Sequence, residues 1–272
     1  MPRVAPLLAL ILLAVSPCGP AWGAGEKPAE KAQSSITKPS IEELVKNFDT
    51  IIFQSEFKGV AKSKVIKKWT GPLRIAIRTF EEATIRKDGR EVVQLKQVKV
   101  KKPHLRFVQN HLNSLARATG LKTEDSKKNG QPVNFTINFV PRLHLGNPYL
   151  AKANPKLLRK MAAEGGCYFV LWADNVTGVI KKVVIVVNAE RLLIRTNHCL
   201  LEEMTQSLGL PNDSNLITPS IFADSSRRTE LTRSDLMILK ALYDPRMKAG
   251  LPREKALKVA EEVLRELDAK LP

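Results

Sequence analysis

Apolar positions fall into two rhythms along this chain. Period-two alternation marks strands: Leu73, Ile75 and Ile77 against Arg74, Ala76 and Arg78 within residues 65–79, then Val98 and Val100 against Lys99 and Lys101, then residues 133–140. Tyr168 to Trp172 and Val179 to Val187 predict two more strands, joined by a turn at Asn175-Val176-Thr177-Gly178. Helices are signalled by their ends. Ser40 predicts an N-cap for a helix over 41–51, with Glu43 completing a capping box. Pro103 opens a helix to Thr119 that Gly120 closes. Further helices are predicted over 196–208, over 232–243 with Thr232 and Asp235 as a capping pair, and over 252–269 behind Pro252. The last one carries Leu257, Val259, Ala260, Val263, Leu264 and Leu267, an apolar stripe expected to dock on the rest. Lys87-Asp88-Gly89-Arg90 reads as a turn and 121–131 as a polar loop. Strands and one helix come first and helices last, which predicts an α+β fold: one domain over 40–272, with a helical tail from about 244.

The front of the chain has a different character. Leu7 to Val15 is an apolar run too short to span a bilayer, and Ala21-Trp22-Gly23 presents small residues at the positions a signal peptidase reads, so 1–23 is predicted to be a signal peptide. Pro17 before Cys18 does not suit a lipid-anchor motif. Residues 24–39, rich in Lys, Glu, Ala, Ser and Pro, read as a flexible linker. The expected location is therefore periplasmic or secreted, with no transmembrane helix in the mature chain. Lys and Arg outnumber Asp and Glu by 44 to 27, a formal charge of +17 to which the leader contributes only Arg3. Such a field attracts polyanions. After export these are envelope polymers rather than DNA, and no nucleic-acid recognition motif is present. A solvated basic surface is the plainer account of the same charge.

Candidate chemistry is sparse. The four histidines, His104, His111, His144 and His198, include no pair three to five apart, and there is no Cys-x-x-Cys, Gly-x-Ser-x-Gly or phosphate-binding glycine loop. His104 and His111 share a helix face, where ordinary packing or solvent is expected rather than metal. Trp69 is expected to pack at a strand end and Trp172 in the core. Two cysteines survive leader removal, Cys167 and Cys199. An oxidising compartment favours joining them across a loop of about 33 residues, worth roughly 3–4 kcal/mol in the chain-entropy model; two separate buried thiols are the alternative.

The informative stretch is His198-Cys-Leu-Leu-Glu-Glu-Met-Thr-Gln-Ser-Leu-Gly-Leu-Pro-Asn-Asp213, followed by Ser220-Ile221-Phe222 and by Leu231-Thr232-Arg233-Ser234-Asp235 running to Leu242-Tyr243. Over about 50 residues this resembles the matrixin-like branch of the metzincin (zincin) peptidases. That family carries His-Glu-x-x-His on a helix, then x-Leu-Gly-Leu-x-His, a Ser-Ile-Met turn, and a Leu-Thr-x-x-Asp helix ending in Leu-Tyr. The string Cys-Leu-Leu-Glu-Glu-Met-Thr-Gln-Ser-Leu-Gly-Leu-Pro-Asn-Asp more closely resembles a bacterial family known as domain of unknown function 2927. The resemblance implies a zincin-like domain with a helix of the active-site type.

The departures decide what the resemblance implies for chemistry. The family's three zinc histidines fall on Glu202, Gln206 and Asn212, the turn methionine on Phe222, and only the general-base glutamate is kept, as Glu203. One carboxylate and two neutral amides are weak zinc donors, so an ordinary catalytic zinc is not implied. His198, one turn before Glu202, is an alternative nitrogen ligand. The other expectation is a clasp in which Glu202, Gln206 and Asn212 bond to one another and to backbone. Two functions follow. The first is a degenerate peptidase domain serving as a non-catalytic binding or structural module of the envelope, taking a peptide or an anionic polymer. The second is a metal-dependent hydrolase with an unusual ligand set and Glu203 as general base.

Overall fold

A computed structural model describes residues 38–54, 62–164 and 166–270. The predicted signal peptide, and the linker up to residue 37, lie outside the described residues. Helix α1 (Ile41–Phe53) starts as its sequence demands: Ser40 Oγ accepts from the Glu43 amide at 3.2 Å and the Glu43 carboxylate accepts from the Ser40 amide at 2.7 Å. Leu44, Phe48, Ile51 and Ile52 then face the core. Strand β1 (Leu73–Lys87) begins eight residues later than the alternation suggested. Residues 65–69 are extended but stitched to two different neighbours. The Ile66 amide donates to Leu251 O and the Lys68 amide to Gly178 O, while Thr70-Gly71-Pro72 separates this stretch from the sheet.

β1 also runs nine residues past Arg78, pairing with β2 (Arg90–Val98) in a hairpin turned by Asp88 and Gly89, both at positive φ. Most of β2 is exposed, so the hairpin beyond Thr79 lacks the one-sided alternation that marks Leu73, Ile75 and Ile77. The basic strand expected at 98–101 is a correction: β2 ends at Val98, and Lys99 to Lys101 lead into α2 (Lys102–Thr119), which ends on left-handed Gly120. The expected polar loop holds a short strand β3 (Thr123–Glu124) and a single turn α3 (Ser126–Asn129). Strand β4 (Phe135–Val140) is buried throughout. After it come a 3-10 turn at Arg142–His144 and the helices α4 (Pro148–Ala151) and α5 (Pro155–Glu164), none of which the sequence reading marked. Strands β5 (Cys167–Ala173) and β6 (Ile180–Asn188) and helices α6 (Leu193–Gln206), α7 (Arg233–Tyr243) and α8 (Arg253–Lys270) complete the chain.

The fold is α+β around a mixed sheet in the order β2-β1-β4-β6-β5, with β3 beside the start of β1. β1, β4 and β6 are parallel, and β2 and β5 are antiparallel edges. The central strands β4 and β6 are covered on both faces; β6 reads as an apolar run, whereas β4 alternates Phe135, Ile137 and Phe139 with buried Thr136 and Asn138. Phe135, Ile137, Val183 and Ile185 pack against α1, α2, α6, α7 and α8. Val184 and Val186 pack on the opposite side with Leu145, Leu158 and Tyr168. α8 is an integral layer: Ala256, Ala260, Val263 and Leu264 are buried where it meets α1 and α7. Trp69 is buried, its Nε1 donating to Ser207 O, whereas Trp172 is only half-buried on the less covered face. No helix among the described residues is long and apolar enough to cross a membrane.

Candidate functional site

Helix α6 is two-faced. Leu200, Leu201 and Met204 enter the main core. His198, Glu202, Glu203 and Gln206 line a cleft of about 390 Å³ whose other wall is the start of β5, from Gly166 to Phe169. The disulfide Cys167–Cys199 crosses from that strand to the helix, with Cα atoms 6.3 Å apart. A disulfide is consistent with an extracytoplasmic location. Sequence reasoning named the cysteines and the helix residues but missed the basic side of the cleft, made by Arg191, Arg195 and Arg227. Arg191 and Arg195 precede and open α6 at positions ahead of the expected helix start, and the charge was taken only as a sum over the chain.

His198 is held in one orientation. Its Nδ1 lies 2.7 Å from the Arg228 carbonyl, which can only accept, so Nδ1 carries the proton. In the neutral ring, Nε2 is then the lone-pair nitrogen, and it faces Glu202 Oε2 at 3.4 Å. Burial, then the nearby charges of Arg227, Arg191 and Arg195, push the imidazole below its usual pKa, against the opposing effect of the Arg228 carbonyl.

The expected trio of Glu202, Gln206 and Asn212 is split between two places. Glu202 lies beside His198, and Gln206 Nε2 donates to Asp213 Oδ1 at 2.5 Å, both in the cleft. Asn212 is buried away from them. Its Nδ2 donates to Ile51 O at 2.9 Å and Gln54 O at 2.8 Å, and its own amide donates to Ile51 O, so it ties the loop after α6 to the end of α1. The free carbonyls at the end of α1 supply the physical reason: they need donors, and an amide side chain provides them. The side-chain amides of Gln206 and Asn212 donate to Asp213 and to the end of α1, not to each other. With one amide turned away and another committed to Asp213, this set does not suit a tetrahedral zinc centre. Cys167, Cys199 and Glu203 bring potential ligand atoms within 4.8 Å of one another, but the two sulfurs are bonded together and offer no thiolate. His104 stacks on Phe139 at 4.1 Å between centroids, and His111 Nε2 contacts Asn197 Oδ1 at 2.8 Å; both are packing residues.

The remaining residues of the motif form a scaffold. Asp235 Oδ1 accepts from Ser220 Oγ at 2.6 Å, and its Oδ2 accepts from the amides of Ile221 and Thr232. The Tyr243 hydroxyl donates to Leu208 O and accepts from the Trp69 amide. Lys68 Nζ is buried, donating to Leu242 O and Met247 O, and burial pushes its pKa down to about 8. Gly209 sits at φ 114°, where a Cβ would stand 2.0 Å from Lys67 O. Phe222, two residues after Ser220, is fully buried.

No curated protein and no solved structure matches the chain. A family model described as "Protein of unknown function (DUF2927)" matches residues 41–262, from the first residue of α1 well into α8. That span takes in the sheet, the cleft and the scaffold of Ser220, Asp235 and Tyr243, and the chain belongs to this family.

Proposed function

We propose that this chain is an exported, non-catalytic binding module of the cell envelope, built on a zincin-like framework whose metal-binding chemistry has been replaced. One observation carries the binding reading: the cleft runs between the polar face of α6 and β5, and β5 is the last strand of the sheet. An edge strand beside a hollow offers unpaired backbone groups to an extended peptide, which can add as a further strand while its side chains enter the cleft. The helix lining that cleft, the Ser220-Ile221 turn and the capped helix ending at Tyr243 support the zincin-like part of the reading. The basic balance of the chain favours anionic occupants, either a peptide or an envelope polymer. Export rests on the predicted signal peptide together with the disulfide.

A second reading, a metal-dependent hydrolase with Glu203 as general base, is favoured by the fixed tautomer of His198, whose Nε2 is presented as a metal-ligating histidine presents its nitrogen. Elemental analysis of protein purified from the exported fraction without added metal separates the two. Metal-free, folded protein that leaves a peptide library intact is the expected result. Stoichiometric zinc that disappears in Glu202→Ala, with peptide cleavage lost in Glu203→Gln, would replace the first reading with the second.

A further inference from the structure

Three guanidinium groups share the cleft: Arg191 and Arg195 at the start of α6, and Arg227 from the loop that follows that helix. Carboxylates of Glu202, Glu203, Asp213 and Asp224 line the same hollow, and the charges of Glu202 and Glu203 reach Arg191. Arg191 Nη1 lies 3.4 Å from Cys199 Sγ, and Arg227 donates to the neighbouring Ser226 carbonyl. Burial, then the proximity of Arg195 and Arg227, holds Arg191 below the usual guanidinium range, with Glu202 and Glu203 opposing. The first turn of α6 has no acidic residue, and Leu192 at its N-cap makes no side-chain bond, so the helix does not neutralise this end itself.

The seat of Arg191 is made by a glycine. A Cβ on Gly166 would stand 2.2 Å from Arg191 Nη1 and 2.5 Å from its Cζ, so the guanidinium lies against the backbone at the start of β5 in space that any larger residue would occupy. Beside this charge, Leu192, Leu193 and Ile194 are 74%, 48% and 61% exposed. Polymers of sugar or phosphate gain little from three aliphatic side chains, whereas a peptide with apolar residues covers them. A planar fork of N–H donors suits a carboxylate.

We propose that Arg191, Arg195 and Arg227 form a carboxylate-recognition subsite of the cleft, and that its occupant is an acidic peptide whose apolar side chains cover Leu192 to Ile194. The proposal rests on the peptide-binding reading above and names its ligand class. Fluorescence anisotropy on the mature chain at low salt tests it with two labelled probes: Ala-Val-Leu-Ala-Glu-Glu with a free C-terminus, and Ala-Val-Leu-Ala-Gln-Gln with an amidated one. The acidic probe is expected to bind at least roughly tenfold more tightly, the scale of one charge-assisted hydrogen bond. Arg195→Gln should remove most of that preference. Gly166→Ala should do likewise by displacing Arg191 without changing any charge, and Lys181→Gln, an equal charge change at an exposed position near the start of β6, should leave it intact. Equal binding of both probes, with the variants unaffected, overturns the subsite while leaving the cleft-binding reading in place. Failure of both probes to bind overturns both. Arg195-dependent binding of inorganic polyphosphate with no preference for the acidic peptide overturns the peptide assignment.

Discussion

The motif that dominates the sequence divides into two regions with opposite physical characters. One is the scaffold of Ser220, Asp235, Leu208, Gly209 and Tyr243, where each polar group has a named partner and burial is nearly complete. The other is the cleft face of α6, where acids, an imidazole and arginines face a common hollow. Each scaffold residue performs a geometric task that few side chains can do. Glu202 and Gln206 face a hollow rather than the core, so the fold asks less of them. The scaffold therefore speaks to architecture, and the cleft to chemistry.

That division can be broken from either side. Asp235→Ala should have the largest effect. It leaves the Ser220 hydroxyl and the amides of Ile221 and Thr232 without their acceptor, at a cost of about 4 kcal/mol in urea denaturation. Cys199→Ser should come next, losing about 3 kcal/mol with the disulfide while the far-ultraviolet circular dichroism of the folded state is retained. Glu202→Gln should have the smallest effect, within about 0.5 kcal/mol of the parent, because its side chain faces the cleft rather than the core. A loss at Glu202 as large as that at Asp235 would erase the distinction and make the cleft face part of the scaffold.

How much of this was readable in the sequence follows the same physics. Both capping boxes, at Ser40/Glu43 and Thr232/Asp235, were evident because a cap is a local pattern of three or four residues. The buried strand β4 was evident from period-two alternation and β6 from an apolar run, and Gly120 from its place after a helix. The start of β1 was misjudged because residues 65–69 are extended for a different reason, bonding to the loops at Gly178 and Leu251, which are remote in sequence. The hairpin of β1 and β2 escaped because a strand exposed on both sides has no alternation to display. At the site, helical spacing correctly set Glu202 and Gln206 along the cleft. It could not foresee that the end of α1, about 160 residues earlier in the chain, would claim the side chain of Asn212. The arginine cluster was hidden because Arg227 joins Arg191 and Arg195 only through the tertiary fold.

The bridge between Cys167 and Cys199 has a consequence for any visitor to the cleft. It links the two jaws of the opening, at the first residue of β5 on one side and midway along α6 on the other. A slot tethered across its middle is restrained from widening to admit a guest or closing down on one. The loss of freedom on association is then borne almost wholly by the incoming molecule, so affinity should increase with the stiffness of that molecule rather than with any adjustment of the host.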